Sequence, residues 1–302
     1  MTILGGVFSV LPTPFDESGE VDHDSLRRVL DLFIDGGVNG VTALGVTGEV
    51  ARLDDRERDE VLDTVVRHVA GRVAVVAGST ADGLRTCIRY CRRARQAGAA
   101  AVMISPPRMP KLNSEAVVRH FSEVAAAVDL PIIVQDYPPI SGYAMEASLL
   151  ARIAREIPAA RTIKLEDPPT PAKTSRILEQ TQELDIRIFG GLGGVFLLEE
   201  LLAGAAGAMT GFAYPELLVQ VVRLFRTGHL DEAADLFYRC VPLMRFEFQE
   251  GIGMAIRKEV LRRRGALTSA AVRPPGAMLD ATTRAALDRL LNWMRLTGSI
   301  RV

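Results

Sequence analysis

One lysine stands out on chemical grounds. In "ARTIKLED" (160–167), Lys164 interrupts an apolar run between Ile163 and Leu165. A charged amine in a buried strand is costly unless it is paired or kept neutral. Side chains alternate along a strand, so Lys164 and Glu166 share one face and Ile163 and Leu165 the other. If the apolar pair packs under a helix, the lysine points into a poorly solvated interior. An exposed amine with a pKa of about 10.4 is neutral only to roughly one part in two thousand at neutral pH. Burial disfavours the charged form, and the neutral amine is the nucleophile. Two readings stand open from these residues: a nucleophilic lysine, or a structural ion pair with Glu166.

Other residues can supply chemistry beside it. Tyr137 follows the apolar run "PIIVQDYPP" (131–139), where Pro138 and Pro139 stop a strand, and its phenol could pass a proton to and from a ligand on Lys164. A rim tyrosine with no chemical part is the plainer alternative. In "GVTGE" the glycines let backbone N–H groups approach a ligand, and Thr47 adds a hydroxyl. Such a turn suits a carboxylate, and ordinary strand-to-helix turns look similar. Gly190, in "FGGLGG", and Met209, in "GAMTGFA", are read as further substrate-binding positions, and "FGGLGG" itself as a tight turn. Glu166 is a possible acid or base, with a strand-end glutamate facing solvent as the plainer alternative. Asp136, Glu166 and Asp167 raise a hard metal only as a minor alternative, since no histidine joins them. His23, His68, His120 and His229 read as surface or packing residues, and no metal site is expected.

Eight short apolar runs position these residues. They lie at 6–15, 40–48, 72–80, 100–107, 131–139, 160–167, 187–191 and 207–213. They are uniformly apolar rather than alternating, as in parallel strands covered on both sides. Their starts are spaced about thirty residues apart, the length of a βα unit. Between them lie helical patterns with legible ends: Asp54 and Glu57 stand at capping-box spacing, and the glycines of "QAGAAAV" and "AGAAGAMT" suit helix C-caps. Eight βα units predict a closed (β/α)₈ TIM barrel over residues 1–226. Further helical patterns at 227–302 predict a C-terminal helical region packed on the barrel or on a neighbouring subunit. In such a barrel, chemistry sits at the C-terminal ends of the strands, where Val46, Tyr137 and Glu166 fall.

Composition narrows the function classes. The 302 residues carry 36 Lys and Arg against 37 Asp and Glu, so neither nucleic acid nor an acidic membrane surface is expected as a partner. No apolar run reaches membrane-spanning length, and the N-terminus lacks the pattern of a signal peptide. Three cysteines, Cys87, Cys91 and Cys240, show no disulfide or zinc spacing. They read as packing residues, and the expected location is a reducing cytoplasm.

Taken in order, "VLPTPFDESGEVD", "GVTGEVARLDDRER", "DYPP", "IKLED", "FGGLGG" and "VRPP" resemble the dihydrodipicolinate synthase/N-acetylneuraminate lyase family of class I aldolases, over essentially the whole chain. The resemblance implies a (β/α)₈ barrel with a C-terminal helical region, usually a homotetramer or homodimer. It implies a Schiff base between Lys164 and a small-molecule 2-oxo acid such as pyruvate, with no cofactor. It makes Tyr137 the proton-transfer tyrosine and places the 2-oxo acid carboxylate on Thr47 and the backbone at Val46.

Departures from the synthase pattern direct the expectation further. The usual turn hydroxyl is Val46 here, "SPPRMPKL" contains no tyrosine, and "YPPISGY" contains no arginine for a second carboxylate. Glu166 is not the synthase's residue either. The chain looks more like the sugar-acid branch, the lyases and dehydratases of 2-keto-3-deoxy acids. The alternatives are the synthase proper, joining pyruvate to aspartate semialdehyde, and a barrel that binds a 2-oxo acid as a sensor without turnover.

Overall fold

The computed structural model describes residues 4–296, 298 and 300. Eight parallel strands form a closed barrel in sequence order: β1 (Gly6–Val10), β2 (Gly40–Ala43), β3 (Ala74–Gly78), β4 (Ala101–Ile104), β5 (Ile132–Asp136), β6 (Thr162–Leu165), β7 (Arg187–Gly190) and β8 (Gly207–Thr210). Closure is made by β8 against β1, with Met209 opposite Phe8. Each expected apolar run contains one of these strands, with the run's remaining residues in the turns around it.

The covering helices are α1 (His23–Asp35), α2 (Asp55–Val69), α3 (Leu84–Ala97), α4 (Ser114–Ala127), a single turn α5 (Pro138–Ser141), α6 (Ala147–Glu156), α7 (Thr170–Gln180), α8 (Leu197–Leu202) and α9 (Pro215–Arg226). Beyond them come α10 (Leu230–Glu247), α11 (Gly253–Arg263) and α12 (Ala281–Leu296). Helix α10 packs on α9, α11 and α12. Local sequence explains the helix ends. The Asp54 side chain accepts from the Glu57 amide at 2.8 Å and Glu57 accepts from the Asp54 amide at 2.9 Å, which is the expected capping box. Such a cap contributes about 1 kcal/mol. Gly98 ends α3 with φ 97°, a left-handed conformation that costs glycine little. Pro138 and Pro139 do end the strand, and they also open α5, where a missing N–H is harmless.

The barrel has two apolar layers. Outward residues such as Ile163, Leu165, Val134 and Ile188 pack beneath the helices. Inward residues, including Phe8, Met103, Ile133, Phe189 and Met209, form a separate interior cluster. Phe8 meets Phe189 edge to face, ring centres 5.3 Å apart. Gly40 makes room for Phe8, because a Cβ there would lie 2.2 Å from the ring. This packed interior leaves the C-terminal mouth as the place where polar groups gather. Cys87, Cys91 and Cys240 are free and buried. No described helix is long and apolar enough to cross a membrane.

Candidate active site

Lys164 sits on β6, in register between Gln135 of β5 and Phe189 of β7. It is 5 % exposed, while its neighbours Ile163 and Leu165 point to the helices. Its amine lies 3.1 Å from Glu166 Oε2. The ion pair weighed as the plain alternative is therefore present. It does not exclude a nucleophile, because the same carboxylate would lie beside an imine formed at Nζ.

Glu166 is buried, and a strand-end glutamate facing solvent does not describe it. Its amide continues the sheet by donating to Asp136 O at 2.9 Å. Gln135 Nε2 donates to the same Oε2 that faces Lys164, at 2.7 Å. Ser105, just past β4, donates to Gln135 Oε1 at 3.1 Å, and its own amide donates to Thr80 Oγ1 at 3.0 Å. A file of polar groups thus crosses the barrel mouth from Thr80 to Lys164. Gly191 leaves room for Glu166, since a Cβ there would fall 2.2 Å from Glu166 Cγ.

Tyr137 lies one alternation beyond Gln135 and is half-buried. Among the described residues its hydroxyl has no hydrogen-bond partner. Burial pushes the phenol up from its ordinary value, and the negative charges of Glu166 and Glu250 push it the same way. It therefore stays protonated at neutral pH and can donate.

The turn expected to hold a carboxylate is a short 3₁₀ segment, Val46–Gly48. Its internal bonds use the Gly48 and Glu49 amides, which donate to Gly45 O at 2.9 Å and Val46 O at 3.0 Å. The leading Val46 and Thr47 amides stay outside those bonds, as the first N–H groups of a helical turn do. The Thr47 hydroxyl is buried with no hydrogen-bond partner among the described residues. Thr13 Oγ1 ties the turn down by donating to Gly48 O at 2.6 Å. A cavity of about 230 Å³ lies between this turn and the polar file, lined by Gly45, Val46, Thr80, Met103, Ser105 and Gln135. A larger groove of about 650 Å³ runs between the start of α3 and α4, but it touches none of the site residues.

The remaining expected residues fall as follows. Gly190 turns its α-carbon toward α8, where a Cβ would lie 1.6 Å from Glu200 Oε2, so only its backbone can serve the mouth. Met209 is fully buried in the interior cluster. Asp136 and Asp167 are drawn away from Glu166 by Lys173, whose amine donates to them at 2.6 and 2.7 Å. Burial pushes Asp136 up to about 6 against the pull of Lys173. Among the described residues no cluster of His, Cys, Asp and Glu could hold a metal ion.

Four of the described residues at the mouth were not singled out from the sequence: Thr80, Ser105, Gln135 and Arg257. Alternation alone could have nominated Gln135, which shares a strand face with Tyr137. Arg257, on α11, had no such signal. It is 4 % exposed, and a Cβ on Gly211 would lie 2.6 Å from its Nη1 and 3.1 Å from Thr47 Oγ1. Arg257 and Thr47 therefore flank the same point beyond β8. Arg257 Nε donates to buried Glu247 at 3.4 Å, and burial pushes Glu247 up to about 7.

Residues 3–294 match the Dihydrodipicolinate synthetase family. The chain belongs to that family. Its members are lyases and dehydratases, so the expected enzyme class, a Schiff-base lyase for a 2-oxo acid, stands. The chain is 34% identical over 288 residues to L-2-keto-3-deoxyarabonate dehydratase of Azospirillum brasilense, covering 93% of this chain and 92% of that one. It is 31% identical over 298 residues to 4-hydroxy-tetrahydrodipicolinate synthase of Methanothrix thermoacetophila, covering 98% and 99%. A crystal structure of dihydrodipicolinate synthase from Rhodopseudomonas palustris superposes with a TM-score of 0.90 at 37% identity, covering 96% and 97% of the two chains.

Proposed function

We propose that this protein dehydrates a 2-keto-3-deoxy sugar acid through an imine on Lys164. The observation that carries the reading is the Glu166 carboxylate, buried and 3.1 Å from the Lys164 amine. A 2-keto-3-deoxy acid has a ketone at C2, a methylene at C3 and a hydroxyl at C4. Lys164 Nζ attacks C2, and the adduct loses water to leave an iminium. The C3–H bond then breaks, and its electron pair becomes the C2–C3 double bond of a neutral enamine. The enamine expels the C4 hydroxyl, which leaves as water when it receives a proton. A second water hydrolyses the conjugated iminium and frees the lysine. The net change is loss of one water, and in this reading the Glu166 carboxylate serves both proton transfers.

In this reading the Val46 and Thr47 amides and the Thr47 hydroxyl hold the substrate carboxylate, with the Gly190 backbone and Met209 bounding the site. Tyr137 donates to the oxygen leaving C2 as the imine forms. The dehydratase likeness supports the substrate class, as does the absence of an arginine from "YPPISGY" and of a tyrosine from "SPPRMPKL". The barrel at 1–226 carries the chemistry, the helices of 227–302 buttress its mouth through Arg257, and the working form is a cytoplasmic homo-oligomer, a tetramer or a dimer.

The test has two arms. Pyruvate with borohydride should add a reduced three-carbon adduct that maps to Lys164. A panel of 2-keto-3-deoxy acids, 2-keto-3-deoxyarabonate among them, should then be turned over with loss of water. An adduct on another lysine would overturn the site. Efficient condensation of pyruvate with aspartate semialdehyde would overturn the substrate class.

A further inference from the structure

We infer that Gln135 is a positioning residue that clamps Glu166 by one oxygen, so that the other oxygen is the base for the C3 proton. The inference rests on the imine reading above and adds the part that directs proton removal. Three observations carry it.

First, both neighbours of the carboxylate meet the same atom. Lys164 Nζ is 3.1 Å from Oε2, and Gln135 Nε2 donates to Oε2 at 2.7 Å. Oε1 has no hydrogen bond among the described residues and lies on the Gly191 side, where a Cβ would come within 2.7 Å of it. The two oxygens are thereby differentiated: one anchored, one free.

Second, the clamp has a fixed polarity. An ionised carboxylate only accepts, so it must face the amide nitrogen of Gln135. Ser105 sets the other end, its hydroxyl donating to Gln135 Oε1 at 3.1 Å. A rotated amide would turn its oxygen onto Glu166 and its nitrogen onto Ser105, forfeiting the bond to the carboxylate. Gln135 and Ser105 are themselves 2 % and 1 % exposed, so a lost bond there is not replaced by water at no cost.

Third, Gln135 is the register partner of Lys164 across β5 and β6. The amide that holds the base and the amine that forms the imine are therefore carried on adjacent, hydrogen-bonded strands, which sets the distance between them. The C3–H bond of an imine on Lys164 breaks with its proton passing to Oε1. The electron pair enters the C2–C3 bond, and the imine nitrogen becomes neutral. The same Oε1–H then supplies the proton that leaves with the C4 hydroxyl.

Pyruvate tests this without knowledge of the natural substrate. In D₂O, wild-type enzyme should form the borohydride-trappable imine and exchange the pyruvate methyl protons for deuterium, read by NMR. Gln135→Leu should trap the imine as wild type does while exchange slows by roughly 10- to 100-fold, part of the effect of a misplaced general base. Ser105→Ala keeps the amide and removes only its guide, and should slow exchange several-fold with the adduct intact. This variant serves if Gln135→Leu does not fold. Unchanged exchange in both variants would overturn the inference, and so would imine formation and exchange falling together, which would place Gln135 on Lys164 instead. A wild type that forms the imine without exchanging would also overturn it. A wild type that forms no imine defeats the underlying reading, and the inference falls with it.

Discussion

Replacing Lys258 with methionine should destabilise the protein and loosen the Val46–Gly48 turn, proposed above to hold the substrate carboxylate, at once. The Lys258 side chain is fully buried on α11 and paired with Glu49, which is 4 % exposed. Its amine also donates to Ala271 O at 2.7 Å and lies 4.4 Å from the centre of the Phe15 ring. Glu49 stands immediately after the Val46–Gly48 turn with φ 56°, and its other oxygen accepts from Arg52 Nη1 at 2.6 Å and the Arg273 amide at 3.0 Å. Methionine matches the aliphatic stem of the lysine and removes its charged amine. Removing one member of a buried pair typically costs about 3–5 kcal/mol, because the partner's charge stays behind. The stranded Ala271 carbonyl adds about 1 kcal/mol. Relief of lysine desolvation works in the opposite direction, since burial pushes Lys258 down to about 8 even with Glu49 beside it. Arg52 still neutralises part of Glu49. The net expectation is a loss of about 3 kcal/mol, or roughly 5–8 °C in Tm for a chain of this size. Urea and thermal unfolding measure it. A double-mutant cycle with Glu49→Gln should show coupling of at least about 1 kcal/mol, the double variant losing less than the two single losses together. The KM for pyruvate exchange should rise several-fold through the displaced turn. A loss below about 1 kcal/mol with no coupling would refute the view that this pair anchors the turn to the C-terminal helices.

Two further outcomes follow from the site and from α11. Tyr137→Phe should slow imine formation and turnover by roughly 10²–10⁴-fold while KM and circular dichroism stay near wild type, as loss of a proton donor predicts; an unaltered kcat would assign the phenol to packing. Glu259 is raised by burial, but its hydrogen bonds from Arg262 and Arg263 outweigh that and hold it at about 2, against an ordinary 4.5. Its folded-state value is depressed, so its stabilisation is full above about 4.5 and fades as pH falls toward 2. Screening at the partly exposed arginines reduces the contribution to about 1–2 kcal/mol. Glu259→Gln should lose that amount at pH 7 and almost none at pH 2, and equal losses at both, read by urea unfolding, would contradict the sign.

The sequence by itself determined the architecture and singled out Lys164 as a lysine on an apolar strand. Eight apolar runs thirty residues apart leave a closed barrel as the economical way to bury both faces of every strand, and the Asp54–Glu57 box and Gly98 mark helix ends within a few residues. Alternation around Lys164 placed Ile163 and Leu165 outward and the lysine inward, because the period of two is local and owes nothing to partners. Tertiary structure alone decided what meets the lysine. Whether Glu166 faced solvent or Lys164 depended on the room at Gly191, and whether Gln135 or Tyr137 stood level with the amine depended on the β5–β6 register. Asp136 and Asp167 turned to Lys173 because one lies on the outer face and the other beyond the strand, where α7 delivers a buried cation. Gly190 turned toward Glu200 for the same reason of face. Arg257 reached the Thr47 turn from 210 residues away in the chain. Such contacts are set by barrel shear and helix docking, which are properties of the closed assembly and leave no periodic trace in the residues that make them.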